Sequence, residues 1–472
     1  MASKKNIKKL FDKYTVSQTS LRDRFNIPHY MLNKRSQDSF FFFGIEKQVV
    51  TERMAFREFI DGRIRYVGKP QEKDGHVLVV GGAGSGKSSC IAIPSLETWK
   101  GTIFAIDIKG ELSEHWNNIP SPKRDFKIFN FSKEESYSRY DPFYFLRQSE
   151  EEDLIQNARE ISQAIIQVPP SVLEPFWLQA AQHVLTATIL YGYGNNLSFI
   201  ETMQLIQTRP IWKLIEDIAN SNNEYAKMHI NQFIESDFVK ETFDLEGIDL
   251  ELFSGEDISS LKPKLINLSE LSDSKMLAGI SAELSSKIMV FATDPRIKSS
   301  FSPSDMSIRW EDLETHNVFM RIAEDKLGQW DGAITLMLTQ LIRTLERRPD
   351  KYSTEGKKKK LPPILLLLDE FPRLGKVDVI QNAISTLRSK GVTICLTIQS
   401  LAQLDKTYGR DTRRIIVDNC QYKAILGVTD SENQKIFSEM VGSIVAGKSG
   451  VGVDNDKKTN IITCNSMNHV SH

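Results

Sequence analysis

The chain lacks most of the features that mark secreted, metal-binding or membrane-spanning proteins. It has four cysteines, Cys90, Cys395, Cys420 and Cys464. Their positions show neither a metal-ligand spacing nor a disulfide framework, so we expect a reduced, cytosolic protein. No apolar run approaches the roughly 18–20 residues that span a bilayer, and no apolar core follows the first lysines as in a signal peptide. We therefore expect no transmembrane segment in this chain.

The sequence also lacks an excess of charge of either sign and any internal repeat. Its 60 basic residues oppose 61 acidic ones, which gives a net charge of −1. Any surface for nucleic acid must therefore be local, because the overall balance neither supports nor excludes one. With 472 residues, 40% of them hydrophobic and 26% charged, the composition is typical of a globular protein of two or three domains.

Near the N-terminus, apolar residues follow helical spacing while lysines fill the opposite face: Ile7, Leu10, Phe11 and Tyr14. Such a helix could lie on an anionic membrane surface or dock on a partner. A frayed, solubilising terminus is the alternative interpretation, since one short helix binds lipid weakly.

A glycine-rich segment follows the apolar run at residues 76–80. It consists of Gly81, Gly82, Ala83, Gly84, Ser85, Gly86, Lys87 and Ser88. It matches the phosphate-loop pattern G-x-x-x-x-G-K-[ST] in full and has the required strand–loop–helix context. Its backbone N–H groups and the start of the following helix, Ser89 included, are predicted to bind a polyphosphate. We expect Lys87 to reach the β- and γ-phosphates of ATP and the Ser88 hydroxyl to bind Mg²⁺.

A second motif lies about 280 residues downstream, where the apolar run 364–368 ends in Asp369 and Glu370. A buried strand that delivers two carboxylates to its carboxyl end is placed where an open α/β sheet binds its ligands. We expect Asp369 to hold Mg²⁺ and Glu370 to orient and deprotonate the attacking water. A strand that ends in acidic residues is common by chance, but its combination with a complete phosphate loop predicts a nucleotide-hydrolysing centre.

Two further side chains are candidates for this centre. Gln399 follows the apolar run 392–398 and is predicted to sense the γ-phosphate; the alternative is a surface amide. Arg388 precedes the same run and could reach a nucleotide on a neighbouring subunit, where an arginine stabilises transition-state charge. From the residues alone, a solvated arginine at a helix end is the alternative for Arg388.

The spacing of apolar residues divides the chain into three parts. Residues 1–75 are predicted to be a lead-in packed on the core, with 40–43 in a buried strand and hairpin-like stretches after it. Residues 76–150 and 301–472 alternate strands with helices, which indicates a mainly parallel sheet covered on both faces. Residues 151–300 have helical spacing throughout and are predicted to be an all-α insertion. The basic segment 347–360 is either a solvated loop or a contact for DNA phosphates.

Together these motifs resemble the type IV coupling proteins of bacterial conjugation and secretion, the TraG/TraD-like ATPases. The resemblance covers most of residues 76–445. It includes the phosphate loop and, beyond it, four motifs, I-D-I-K-G-E at 106–111, D-P-F at 141–143, L-D-E-F-P-R-L-G at 368–375 and I-Q-S-L-A-Q-L at 398–404. It implies a hexameric RecA-like motor with an all-α insertion, recruited to the inner face of the cell membrane.

The resemblance also implies roles for individual residues and partners. Arg388 and Gln399 stand at the family's positions for the trans-acting arginine and the sensor. Asp107 matches too, and a structural place near the phosphate loop is our expectation for it. The expected partners are single-stranded DNA, a relaxase or relaxosome, and components of the secretion channel. Two departures are noted: many members begin with transmembrane helices, and the polar stretch 447–472 stands where the family continues into a further strand.

Three functions remain open on the sequence. The first is an ATP-driven motor that brings single-stranded DNA or a nucleoprotein to a secretion channel. The second is a translocase of double-stranded DNA related to FtsK and HerA, against which the helical insertion speaks. The third is a nucleotide-gated adaptor that recruits protein substrates with little hydrolysis.

Overall fold

A computed structural model describes twelve stretches of the chain. They are residues 31–32, 39–54, 57–118, 125–131, 139–169, 175–236, 239–241, 272–305, 307–359, 361–427, 430–441 and 460–464. The predicted N-terminal amphipathic helix lies outside these residues.

The centre of the fold is a parallel sheet of eight strands. In chain order the strands are β4 (Val77–Gly81), β5 (Thr102–Asp107), β6 (Phe126–Asn130), β7 (Asn317–Arg321), β8 (Ile364–Leu368), β9 (Val392–Ile398), β10 (Tyr422–Leu426) and β11 (Asn460–Cys464). Their spatial order is β11-β10-β4-β9-β8-β5-β7-β6. Every pair is parallel, so all carboxyl ends meet at one edge. The strands read as continuous apolar runs because both faces of the sheet are covered.

Alternate residues of the strands enter two apolar cores. On one face Val77 and Val79 pack with Leu96 and Trp116 of the helices α1 (Ile93–Thr98) and α2 (Glu111–Asn118). On the other face Leu78 and Val80 belong to a larger core that includes the helical insertion. This face also carries the helices α11 (Asp331–Glu346), α13 (Ile380–Thr386), α14 (Leu401–Tyr408), α15 (Arg410–Asn419) and α16 (Ser431–Val441).

A second, antiparallel sheet precedes the first. It contains β1 (Met31–Leu32), β2 (Phe40–Met54) and β3 (Arg57–Pro70), in the order β1-β3-β2. The predicted buried strand at 40–43 is confirmed: Phe41 and Phe43 are buried against the α1 face of the large sheet. The Ser95 and Thr98 hydroxyls of α1 donate hydrogen bonds to backbone carbonyls of β2, which fixes the hairpin to the core.

Eight α-helices whose bounds the structure describes lie between β6 and β7. They are α3 (Tyr144–Arg147), α4 (Leu154–Ile165), α5 (Phe176–Gly194), α6 (Phe199–Thr208), α7 (Ile211–Ala219), α8 (Glu224–Ile234) and then α9 (Lys275–Thr293), followed by α10 (Pro295–Ser300). Residues 242–271 lie outside the described part. The rings of Phe199, Phe291 and Phe301 pack against one another and join α6, α9 and α10. This arrangement confirms a mainly parallel α/β fold with an inserted all-α unit, while the domain limits given above stay a prediction.

Three expectations need correction. The helix Lys275–Thr293 meets the length and composition of a membrane span, although the sequence analysis expected no such stretch. Its apolar residues, among them Ile280 and Ile288, are buried in the large core, so packing rather than lipid accounts for them here. The polar stretch at 447–472 contains β11, which continues the sheet beside β10. The basic segment forms a short helix α12 (Thr354–Lys359) rather than only a loop.

Candidate nucleotide-binding site

The sheet brings three of the predicted site segments together at its carboxyl edge. Strand β9 lies between β4 and β8, with Val80 opposite Ile398 and Leu368 opposite Leu396. The phosphate loop follows β4, Gln399 follows β9, and Asp369 and Glu370 follow β8. Residues far apart in the sequence therefore converge because neighbouring parallel strands end side by side.

The phosphate loop takes a backbone course that requires glycine. Gly84 and Gly86 have φ of 72° and 88°, in the left-handed region that side chains disfavour. A Cβ atom on Gly86 would also lie 2.9 Å from the Cys90 sulfur. The chain then enters a π-helical turn, Lys87–Ala92, which continues into α1. Ala83 and Ser89 are exposed, whereas Ser88 is half-buried at the first turn.

Lys87 is held inside the loop. Its ammonium group donates hydrogen bonds to the carbonyls of Gly81 and Gly82, at 2.7 and 3.2 Å. It also lies 3.6 Å from Oε1 of Glu370, and only 7% of the Lys87 side chain is exposed. The cation that would contact phosphates is thus already beside the carboxylate that would activate water.

Glu370 has an unusual backbone conformation for a side chain of its size. Its φ is 47°, in the left-handed region. The Thr397 hydroxyl accepts a hydrogen bond from the Glu370 N–H at 2.9 Å, and Gln399 Nε2 donates to Glu370 Oε2 at 2.9 Å. Strain at a functional position persists only where its surroundings hold the residue in place, and the contacts from Thr397 of β9 and from Gln399 just after it do so here. The Glu370 carboxylate is consequently fixed between Lys87 and Gln399.

The neighbouring carboxylate, Asp369, is largely buried. Its Oδ1 accepts a hydrogen bond from the Thr397 hydroxyl at 2.5 Å. Burial raises the pKa of Asp369, the charge of Glu370 raises it further, and the Thr397 hydrogen bond opposes both. A buried carboxylate with a raised pKa is stabilised by a cation, as expected for a metal ligand.

Arg388 is not part of this cluster. It is exposed and lies just before β9, at the opposite edge of the sheet from Gln399. The seven residues of β9 separate the two edges by about 20 Å. Within one chain Arg388 therefore cannot contact a nucleotide on the phosphate loop.

Sequence reasoning missed one residue of the site and left another without a firm role. Thr397 holds both Asp369 and Glu370, and its only sequence signal is a polar residue inside an apolar strand. Asp107 ends β5 beside β8 and accepts hydrogen bonds from the N–H groups of Leu112 and Ser113 and from the Ser113 hydroxyl. These bonds satisfy the first turn of α2, which gives Asp107 a structural place near the site.

The residues present fit a nucleotide and a divalent cation. The Ser85 hydroxyl oxygen is buried without a hydrogen-bond partner among the described atoms, and the Cβ positions of Gly82 and Gly84 face open space. Ser88 and Asp369 supply one hydroxyl and one carboxylate, the donor set with which a phosphate loop holds Mg²⁺ alongside phosphate oxygens and water. No cluster of three or more His, Cys, Asp or Glu forms a metal site in the part of the chain that is described.

A comparison with known families identifies the family of this chain. The model of the family described as "Type IV secretory system Conjugative DNA transfer" matches residues 44–469. The chain belongs to this family. The match confirms the resemblance to type IV coupling proteins.

Individual relatives of this chain are distant in sequence. It is 24% identical to Protein VirD4 of Rhizobium rhizogenes over 372 residues, which are 78% of this chain and 49% of that protein. It is 20% identical to the conjugal transfer protein TraG of Escherichia coli over 407 residues, 80% of this chain and 58% of that protein. The chain thus spans about half the length of the VirD4 proteins it matches.

Two solved structures match this chain at low identity. The plasmid coupling protein TrwB, in complex with a non-hydrolysable GTP analogue, is 18% identical, with a TM-score of 0.49 over 78% of this chain and 74% of that one. VirB4 of Thermoanaerobacter pseudethanolicus is 13% identical, with a TM-score of 0.46 over 86% and 89%.

Proposed function

We propose that this chain is the ATP-hydrolysing motor of a type IV coupling protein, which delivers single-stranded DNA or a nucleoprotein to a secretion channel. The observation that carries the proposal is the chain of contacts from Lys87 through Glu370 to Gln399 at the carboxyl edge of the sheet. It joins a complete phosphate loop to a fixed carboxylate, which hydrolysis requires and nucleotide binding alone does not.

The residues divide the work of hydrolysis. The loop N–H groups from Gly82 to Ser89 bind the phosphates, and the Lys87 ammonium exchanges the Gly81 and Gly82 carbonyls for phosphate oxygens. Glu370 orients the attacking water and accepts its proton. Gln399, which already contacts Glu370, adjusts that carboxylate according to whether a γ-phosphate is present. Ser88 and Asp369 would hold Mg²⁺, which would neutralise part of the phosphate charge.

Arg388 acts between subunits in this proposal. Because it lies at the far edge of its own sheet, it can serve only a nucleotide on a neighbouring chain, and a ring of six such chains would place each arginine at the next site. An arginine supplied in trans stabilises charge in phosphoryl transfer. Family membership supports the DNA and secretion partners, and the relaxase and the membrane recruitment belong to the proposal.

The test is ATP turnover by the purified chain with and without single-stranded DNA. We expect Lys87→Ala to lose nucleotide binding and turnover, and Glu370→Gln to retain ATP binding while turnover falls by about two orders of magnitude or more. Lys287→Ala, which changes an exposed lysine on α9, is the control and should match the unmodified chain. Equal turnover in Lys87→Ala and the unmodified chain would contradict the proposal, and stimulation by duplex DNA alone would favour the double-strand translocase.

A further inference from the structure

A second cavity lies at the opposite edge of the large sheet, where β4, β8 and β9 begin. Its volume is about 480 Å³, inside the range of roughly 300–1,000 Å³ of small-molecule sites. Its walls are the segment 71–75 after β3, parts of 349–363 around α12, and the turn 388–393 before β9. The whole length of the strands separates it from the phosphate loop.

The walls of this cavity carry an excess of positive charge. Five cations line it, Lys73, Lys351, Lys357, Arg388 and Lys390, against two carboxylates, Glu72 and Asp74. Asp74 is already engaged, since it accepts hydrogen bonds from both the Lys351 ammonium and the Tyr352 hydroxyl. Lys73 and Lys390 form no ion pair with a carboxylate among the described residues. Asp350 lies within electrostatic range of Lys390 but not in direct contact with it, so the cavity presents Lys73 and Lys390 without a directly contacting carboxylate among the described residues.

A further cation is buried directly beneath the wall. Lys69 is fully buried, and its ammonium group donates a hydrogen bond to the hydroxyl of Thr393, which lines the cavity, at 3.2 Å. In the described residues no carboxylate lies within ion-pair distance of Lys69. Burial lowers the pKa of Lys69 to about 7. The charge of Asp74 opposes this lowering without an ion pair, and an anion in the cavity would oppose it further.

An aromatic ring stands at the mouth of the same cavity. Tyr352 lines it and is 60% exposed, which is high for a tyrosine whose hydroxyl is anchored. Asp74 holds the hydroxyl in place and the Lys351 ammonium lies over the ring, 4.8 Å from its centroid, while the rest of the ring is open to solvent. Cationic groups beside an exposed, oriented aromatic ring are the combination that binds a nucleotide, because phosphate oxygens need cations and the base needs a stacking surface.

We propose that this cavity is a second binding site, separate from the phosphate loop, for a single nucleoside phosphate. The phosphate groups lie on Lys73 and Lys390 above the Lys69–Thr393 pair, and the base stacks on Tyr352. The nucleoside phosphate is either a free nucleotide or the terminal nucleotide of a strand. Arg388 lies at the rim and is left unchanged in the test, since the proposed function assigns it to a neighbouring subunit.

The test uses fluorescent methylanthraniloyl-ADP and the full chain carrying Lys87→Ala, so that the phosphate loop does not contribute. We expect saturable binding that is displaced by pyrophosphate and weakened about tenfold or more by Lys73→Glu with Lys390→Glu. Lys287→Glu, an exposed charge reversal on α9, is the matched control and should leave binding unchanged. Circular dichroism and the melting temperature show that each variant is folded.

Two further arms identify the ligand. Tyr352→Ala should weaken binding of the fluorescent nucleotide and leave pyrophosphate binding unchanged, whereas Tyr352→Phe should retain both. Displacement of the fluorescent nucleotide by a short oligothymidylate would identify the terminal nucleotide of a strand as the ligand. Displacement by ADP but not by the oligothymidylate would identify a free nucleotide as the ligand. Binding that is absent in Lys87→Ala, or equal in the charge-reversed and control variants, would overturn the site. Both outcomes are independent of ATP turnover by the unmodified chain.

Discussion

At the scale of single residues, Thr397 is the contact on which the two carboxylates depend. Its hydroxyl donates to Asp369 and accepts from the Glu370 N–H, so one side chain of β9 fixes both groups at the end of β8. The left-handed backbone of Glu370 needs such support.

We predict that Thr397→Val lowers ATP turnover about tenfold or more while nucleotide binding persists. Valine keeps the shape but leaves the Glu370 N–H without its partner and removes the hydrogen bond that opposes the raised pKa of Asp369. Turnover and fluorescent nucleotide binding measured side by side check this, with Thr412→Val on α15 as control. Parallel loss of binding and turnover would show that Thr397 acts only on the fold.

Lys69 predicts a dependence of stability on pH. Burial lowers its pKa in the folded chain from 10.5 to about 7. Between these values the unfolded chain binds more protons than the folded one, so the free energy of unfolding rises with pH across this window and this contribution is lost as pH falls towards 7. The Lys69→Met chain should be more stable than the unmodified chain near pH 7. Its free energy of unfolding should also rise less steeply with pH. Melting temperatures of both chains from pH 7 to 10 measure it, and identical slopes would contradict it.

At the scale of elements, the strands and the turns after them behave differently. The bounds of β9 follow from a mainly apolar run, and the predicted run 392–398 matches the strand to the residue. Helix α2 depends instead on a contact from outside itself, because Asp107 of β5 binds the N–H groups of its first turn. The spacing of apolar residues within α2 does not indicate that contact.

We predict that Asp107→Ala destabilises the chain by about 1–2 kcal/mol, the typical cost of losing a cap at a helix start. The first turn of α2 then has two buried N–H groups without an acceptor. The lower melting temperature should be accompanied by unchanged nucleotide binding, since Asp107 makes no contact with Lys87 or Glu370 in the described structure. Loss of nucleotide binding in a folded Asp107→Ala chain would instead place Asp107 in the site.

At the scale of the whole molecule, the position of Arg388 distinguishes a site that is complete within one chain from a site that two chains share. The arginine and the phosphate loop occupy opposite edges of one sheet, so the proposed role of Arg388 requires an assembly that brings two chains together.

We predict that Arg388→Ala, with turnover reduced about tenfold or more, and Glu370→Gln, with turnover reduced by about two orders of magnitude or more, restore part of the activity when mixed. In mixed assemblies some sites combine an intact Glu370 with an intact Arg388 from the neighbour. ATP turnover against mixing ratio measures this, and turnover of the unmodified chain should rise with protein concentration. Activity in the mixture equal to the mean of the separate variants would show that Arg388 does not act in trans.

The phosphate loop, the Asp369-Glu370 pair and the α/β pattern with its helical insertion were determined by the sequence, because local motifs and apolar periodicity encode them. Thr397 and the Lys69 cavity could not be predicted, since each depends on which strands and segments become neighbours. The order of the strands in the sheet decides this. It places Gln399 in contact with Glu370, Arg388 at the opposite edge of the sheet, and Lys69 beneath the cationic cavity. A motif indicates the chemistry of its own residues, whereas contacts between distant segments form only when the strands assemble into the sheet.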